Sequence, residues 1–276
     1  MSKFTLTTST PNGLSPGELL FSELILLGLI HWDPFVSQRI PYCLDRLKPD
    51  IITYESNKED YDIFNEKTAE ARGRFHQALS ASSLTLDQQR ALINMFLSRE
   101  EMLEPVAVQE YASKNRVPFY HVDEHSEENE YLIDYVIMEY NSFVTFLKVG
   151  FDTDSLHNQI LGSVLNNGLE ATLQIKGKYY EQRYLDYALH FLGGELSRDA
   201  EEGYQNGRHA GHYDFRDLKM SQRIKEAMVA GKRLVHIGGA GHFVDRPLTV
   251  YRHLRELNPR RLVIHPQWFE KGLEKV

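Results

Sequence analysis

Short apolar runs alternate with amphipathic stretches along most of the chain. The runs typical of buried strands are 24–31, 51–54, 117–123, 234–237 and 261–265. The stretches between them carry apolar residues at helical spacing, so helices are predicted to connect successive strands. Such connections favour parallel pairing. We therefore predict an α/β fold, with a largely parallel sheet of about five strands flanked by helices.

The pattern predicts one α/β domain over 1–276, interrupted by a helical insertion or lid over 125–200. Three amphipathic helices are predicted there, at 128–148, 154–175 and 179–192. The segment 197–214 is rich in Gly, His, Asp and Arg and poor in aliphatic residues. It is therefore predicted to be a loop.

Two of the predicted strands lead into a glycine followed three residues later by a histidine. Gly28 precedes His31, and Gly239 precedes His242. Open α/β sheets bind their ligands at the carboxyl ends of parallel strands, so both histidines occupy a favourable position for function.

The segments that follow these histidines also match each other. Residues Leu44, Leu47 and Pro49 align without gaps with Leu254, Leu257 and Pro259. The two segments have the same order of strand, histidine, helix, proline and strand, which predicts an internally duplicated core.

The strand ends supply a candidate catalytic or metal site made of His31, Glu55 and His242. Further candidates are Asp33, Asp123, Arg216 and His265. Two imidazoles and a carboxylate suit a catalytic divalent metal with an open position for water. Alternatively, Glu55 is a general base, or the histidines only bond to backbone groups at the strand ends. A guanidinium at Arg216 could hold a carboxylate or an oxyanion, or pair with Asp214 or Asp217.

Two further features are interpreted more simply. His209 and His212 lie in the predicted polar loop, where exposure to solvent is the expected state. Cys43 lies within a predicted helix beside Leu44 and is interpreted as a small buried apolar residue.

Composition narrows the classes of partner. The chain has 276 residues, a formal net charge of −8 and a sequence pI near 5.8, which argues against binding nucleic acid or an anionic membrane surface. A single cysteine and the lack of a signal-peptide pattern predict a cytoplasmic protein. We expect a small-molecule or peptide substrate and leave a homo-oligomer open.

Four ordered motifs resemble the TraB/PrgY/Tiki group, within a wider set that includes erythromycin-esterase-like and ChaN-like haem-uptake proteins. They are Gly28-Leu29-Ile30-His31, the segment 48–55 ending in Glu55, Arg216-Asp217-x-x-Met220 and Gly238-Gly239-Ala240-Gly241-His242. The strand 117–123, which ends in Asp123, is also similar to a strand of the group. The helical middle of the chain is not covered by this resemblance.

The resemblance implies a duplicated α/β sandwich with a pocket lined by His31, Glu55, Arg216 and His242. It implies a metal-dependent hydrolase of ester or amide bonds, peptide bonds included. The imidazole and carboxylate donors suit Mn, Co, Zn or Fe alike, so the identity of the metal is not predicted. The alternative is a non-catalytic protein that binds haem or another anionic ligand in the same pocket. The chain departs from the Tiki pattern because His265 stands where a second glutamate is expected, although His265 could still ligate a metal.

Overall fold

The structure is a computed structural model that describes residues 22–31, 33, 35–86, 89, 103–123, 128–149, 169–209 and 215–274. Five strands form one all-parallel sheet in the order β3-β2-β4-β1-β5. The strands are β1 (Glu23–Leu29), β2 (Ile51–Tyr54), β3 (Phe119–His121), β4 (Arg233–Gly239) and β5 (Arg260–Val263). This confirms the predicted α/β fold.

Helices occupy most of the connections between these strands. They are α1 (Val36–Leu47), α2 (Lys58–Ser80), α3 (Leu103–Asn115), α4 (Glu128–Val149), α5 (Leu169–Phe191), α6 (Arg198–His209), α7 (Phe215–Ala227), α8 (Val250–Leu254) and α9 (Pro266–Glu274). Short 3₁₀ helices follow β4 at Ala240–Phe243 and α8 at Arg255–Leu257.

The sheet topology agrees with the predicted repeat. Strands β1 and β4 lie side by side, and each residue of β1 pairs with the residue 210 positions later, as Gly28 does with Gly238. The unit β1-α1-β2 crosses over β4, and the unit β4-α8-β5 crosses over β1 in the opposite direction. Lys48 and Asn258, also 210 positions apart, end these two connections in the same left-handed conformation, each with φ of 47°.

Two apolar layers cover the sheet, one on each face. Ile25, Leu27 and Leu29 point into the layer formed by α1, α3, α5 and α9. Leu24 and Leu26 point into the layer formed by α7 and α8. Because side chains alternate along a strand, a continuous apolar run such as β1 is buried on both faces.

The predicted insertion divides between two packing environments. Helix α4 packs on α2 through a separate cluster that includes Phe75 and Tyr140, whereas α5 joins the main core through Tyr184. The predicted break between 154–175 and 179–192 is wrong because α5 runs through it. A single glycine, Gly177, interrupts the pattern there, and a helix tolerates one glycine at a cost of about 1 kcal/mol. Residues 154–168 lie outside the described residues.

The predicted loop over 197–214 is also wrong, because α6 occupies most of it. The Ser197 hydroxyl accepts the N–H of Ala200 at 3.3 Å and so begins the helix. Ala200 and Tyr204, one helical turn apart, are buried, and the Tyr204 hydroxyl donates to the Pro247 carbonyl at 2.8 Å. The helix is amphipathic, but most of its residues are charged, polar or glycine, and this composition is what the loop prediction followed.

Candidate functional site

The candidate site lies at the carboxyl ends of β1, β2 and β4. The connections that leave the neighbouring strands β1 and β4 run in opposite directions across the sheet. Such a reversal opens a crevice between the strand ends, which is where open α/β sheets bind ligands. His31 follows β1, Glu55 follows β2, and His242 lies in the 3₁₀ helix after β4.

Glu55 is the most heavily bonded carboxylate of this crevice. Its Oε1 lies 2.9 Å from Nη2 of Arg216 and 3.1 Å from Nε2 of His242, and its Oε2 accepts the Gly239 N–H at 2.6 Å. Burial alone would raise its pKa, but His242 and Arg216 hold the pKa of Glu55 well below its usual range. Glu55 is therefore a buried, ionised carboxylate.

His242 is held by a carboxylate on each side. Its Nδ1 lies 2.7 Å from Oδ1 of Asp217, a fully buried residue of α7. Oδ2 of Asp217 accepts the Val250 N–H at 2.9 Å, which fixes the carboxylate. Burial would lower the pKa of His242, but Asp217 and Glu55 outweigh it and raise the pKa to about 10. Without a metal, His242 is thus an imidazolium at neutral pH.

His31 has a similar arrangement built from the opposite layer. Its Nδ1 lies 3.0 Å from Oε2 of Glu104 on α3, and the Tyr54 hydroxyl donates to the same oxygen at 3.2 Å. Loss of hydration around the ring would lower the pKa of His31, but the charge and hydrogen bond of Glu104 outweigh it, so the pKa is raised. The His31 side chain is 44% exposed, so it stands at the mouth of the crevice.

The three predicted side chains converge on the backbone of Gly239. A Cβ on Gly239 would lie 2.9 Å from Nε2 of His31 and 3.4 Å from Cδ2 of His242, while its N–H is bonded to Glu55. Each histidine has its Nδ1 bonded to a carboxylate. The two rings and Glu55 therefore lie together at the carboxyl ends of the strands. From the sequence, these residues were predicted only to follow neighbouring strands.

Arg216 joins this cluster from α7 and pairs with Asp123 rather than with Asp217. Its Nε lies 2.9 Å and 3.0 Å from the two Asp123 oxygens, and its Nη2 bridges Asp123 and Glu55. The carbonyl of Asp123 accepts a further bond from Arg223. The Arg216 side chain is 32% exposed, and Nη1 has no hydrogen-bond partner among the described residues. Asp214, the other acid considered as a partner of Arg216, lies outside the described residues.

Two other predicted residues lie apart from the cluster. Asp33 is fully buried between Arg39 Nη1 at 2.7 Å and the Tyr184 hydroxyl at 3.0 Å. His265 stacks on Tyr184 with ring centroids 5.7 Å apart. Burial and the nearby Arg39 lower the pKa of His265 to about 4. Its contacts in the described part of the chain do not include His31, Glu55 or His242.

Of the remaining residues considered, Cys43 and His209 lie in helices, and His212 is not among the described residues. Cys43 is fully buried in α1, as its neighbours indicated, and burial raises the pKa of its thiol. His209 ends α6, and His212 lies outside the described residues.

Imidazole nitrogens and a carboxylate are donor types that a divalent metal accepts. Metal-binding histidines usually donate their second ring N–H to a carboxylate, as His31 and His242 do here. Nε2 of His31, Nε2 of His242 and Glu55 would then hold the ion. In the present arrangement Glu55 bonds His242 and Arg216 directly. Within the described ranges, no group of three or more His, Cys, Asp or Glu side chains is placed so that it could hold a metal ion.

Sequence reasoning did not find the two carboxylates that orient the histidines. Asp217 belongs to the Arg216-Asp217 motif, but it had been considered only as a partner of Arg216. Glu104 carries no local signal because it reaches His31 from a helix 73 positions later in the chain. The role of His236 was likewise not indicated by the sequence. This residue is fully buried, and its Nδ1 lies 3.0 Å from the Thr53 hydroxyl.

The fold and site define a parallel α/β protein with a buried histidine-carboxylate cluster at the reversal point of its sheet. No family model, curated protein or solved structure matches the chain. None of the helices within the described ranges combines the length and hydrophobicity needed to cross a membrane.

Substitution of Gly238 by alanine should disturb both the site and the fold. A Cβ there would lie 2.8 Å from Oε2 of Glu55, 3.2 Å from its Cβ and 3.3 Å from Nε2 of His236, so the carboxylate must move. We expect at least about a tenfold loss of ligand or metal affinity, measured by isothermal titration, and a loss of about 1 to 3 kcal/mol in unfolding free energy.

Gly73→Ala is the matched control for this prediction. Gly73 lies in α2, and a Cβ there meets nothing within 4 Å. This variant should gain about 0.5 to 1 kcal/mol of stability and bind like the parent. Equal binding by Gly238→Ala and the parent would contradict the proposed packing of Glu55.

His265 should make the protein sensitive to acid. The pKa of His265 is about 4 in the folded protein, whereas the ordinary value for a histidine, 6.5, applies to the unfolded chain. The unfolded state therefore binds the proton more tightly. The stability contributed by neutral His265 is present above pH 6.5 and is lost as the pH falls towards 4. Urea titrations of the parent and of His265→Gln should differ in slope over this range, by a total on the order of 1 to 3 kcal/mol. Parallel pH profiles would contradict this assignment.

Proposed function

We propose that the protein is a hydrolase of ester or amide bonds, peptide bonds included, and that it uses a divalent metal held by His31, Glu55 and His242. The observation that carries this proposal is the pairing of each histidine Nδ1 with a carboxylate while both rings lie beside Glu55 around Gly239. An ion bound by the Nε2 atoms of His31 and His242 and by Glu55 would replace the bond between His242 Nε2 and Glu55.

The charges of the crevice are close to balance. Its carboxylates are Glu55, Glu104, Asp123 and Asp217, and the basic side chains beside them are Arg216, Arg223, His31 and His242. Glu104 raises the pKa of His31, and Asp217 and Glu55 raise that of His242, so a divalent metal would displace protons from both rings as it binds. A guanidinium also suits a carboxylate, so binding of haem or another anionic molecule in the same pocket is the second candidate function.

The residues of the crevice have separable roles in such a reaction. A divalent metal, if held by His31, Glu55 and His242, would supply a water whose pKa is lowered to about 7. Arg216, which Asp123 and Glu55 fix and which is 32% exposed, would hold the substrate carbonyl oxygen as negative charge develops on it. The half-exposed His31 faces incoming substrate, and Asp217 and Glu104 keep the two imidazoles oriented.

Elemental analysis and a substrate screen test this proposal together. The parent and His31→Ala/His242→Ala are each reloaded with Mn, Co, Zn or Fe, and then assayed on a panel of esters and peptides. We expect about one metal per parent chain, metal-dependent hydrolysis, and loss of both in the double variant. His76→Ala, a substitution on α2 at a histidine that contacts Phe75, is the control and should keep both.

Two results would contradict parts of this proposal. A folded parent that takes up no metal under any reloading condition would exclude the metal. Hydrolysis that persists in the metal-free parent and is lost in the double variant would assign the reaction to the side chains alone.

A further inference from the structure

A serine and a histidine form a hydrogen-bonded pair at the turn between β2 and α2. Ser56 Oγ lies 2.6 Å from Nδ1 of His121, the last residue of β3. Tyr54, two residues before Ser56, pairs in register with His121, so the two strand ends are side by side. Both side chains are half-buried, so small reagents can reach them.

The backbone around this pair is fixed on both sides. The Ser56 N–H donates to the Tyr54 carbonyl at 2.8 Å, and the Ser56 carbonyl accepts the Asp123 N–H at 3.1 Å. The ring of Phe119 contacts the ring of His121 edge-on at 4.8 Å, which restrains the imidazole. A serine between a strand and a helix, bonded to an imidazole nitrogen, has the arrangement of an activated nucleophile.

The N-terminus of α2 lies next to Ser56 in the chain and carries partial positive charge. Ser56 precedes the first residue of this 23-residue helix by two positions. The first backbone N–H groups of a helix have no partner within it and carry partial positive charge. An oxyanion formed on a group attached to Ser56 would be stabilised by that charge.

We propose that Ser56 and His121 form a nucleophilic site that accepts acyl groups from activated carboxylic esters. This goes beyond the proposed metal-dependent hydrolysis, because the pair bonds to neither His31 nor His242. Although Ser56 follows Glu55, the Glu55 side chain bonds Arg216, His242 and Gly239, whereas Ser56 bonds His121.

The reaction at this site is balanced without a further reagent. Ser56 Oγ attacks the carbonyl carbon while its proton passes to Nδ1 of His121. The ester C–O bond then breaks, and the alcohol leaves with the proton from His121. The product is an acyl ester of Ser56. Water activated in turn by His121 cleaves that ester, which releases the carboxylic acid and restores the serine.

A fluorophosphonate probe tests the pair directly. Ser56 Oγ would form a bond to phosphorus as the P–F bond breaks and fluoride leaves. Intact-mass spectrometry of the full chain should show one added phosphonyl group, and peptide mapping should place it on Ser56. Ser82, whose hydroxyl donates to the Leu79 carbonyl at 2.6 Å, is an internal control that should remain unlabelled.

Variants and chelation complete the test. Ser56→Ala should lose the label, and His121→Gln, checked for folding by circular dichroism, should slow labelling by about 100-fold or more. Excess EDTA should leave the labelling rate unchanged, so this result does not depend on the proposed metal. An unlabelled Ser56 in the folded parent, or equal labelling rates in the parent and His121→Gln, would overturn the proposal.

Discussion

Substitution of Asp217 by alanine is expected to lower the free energy of unfolding by about 3 to 5 kcal/mol. The carboxylate is fully buried, and it pairs with Nδ1 of His242 and accepts the Val250 N–H. Its removal leaves a buried imidazolium with one carboxylate fewer and a buried N–H without its acceptor. Urea unfolding followed by circular dichroism at neutral pH measures the difference.

Asp134→Ala provides the matched control, because Asp134 is an exposed acid on α4. It should change the unfolding free energy by no more than about 0.5 kcal/mol. Asp217→Asn should lie between these values, since one amide oxygen cannot replace both carboxylate oxygens. If Asp217→Ala were as stable as the parent, the assignment of Asp217 as the orienting partner of His242 would be wrong.

Substitution of Glu55 by glutamine should reduce metal affinity by more than about 100-fold and abolish metal-dependent hydrolysis. Substitution of residues that only orient metal ligands lowers metal affinity by about 10- to 100-fold, so substitution of a direct ligand should lower it more. Glutamine has nearly the same shape and can still accept the Gly239 N–H, but it lacks the charge that the ion requires. Metal titration by calorimetry and the ester panel provide the two measurements.

Glu104→Gln is the comparison for this experiment. Glu104 contacts Nδ1 of His31 and would not contact the ion, so its neutral variant should lose about 10- to 100-fold in affinity. Equal losses in Glu55→Gln and Glu104→Gln would contradict the assigned ligand set. Unchanged affinity in Glu55→Gln would exclude Glu55 from the site.

The crevice combines side chains from the helical layers on both faces of the sheet and from both repeated units. Glu104 reaches His31 from the α1, α3, α5 and α9 layer, and Asp217 reaches His242 from the α7 and α8 layer. Each repeat supplies one histidine, and neither unit alone contains the pair. Glu55, from the first unit, bonds the histidine of the second.

Local chemistry determined the elements and the candidate residues. Apolar runs predicted all five strands, most clearly the three central strands β1, β2 and β4, because a strand buried on both faces is apolar almost throughout. The repeat of 210 positions predicted the equivalence of the two units, which the β1–β4 pairing reproduces. Glycines before His31 and His242 marked the strand ends where these side chains crowd the backbone.

Only the tertiary structure decided which of these residues meet. The interleaved strand order brings His31 and His242 together, and it leaves His265 against Tyr184 and Arg39 instead. Strand order and helix docking depend on contacts between residues far apart in the chain. Local periodicity does not predict those contacts. The same reason hid Glu104, Asp217 and the Ser56–His121 pair, whose partners lie 73, 25 and 65 positions away.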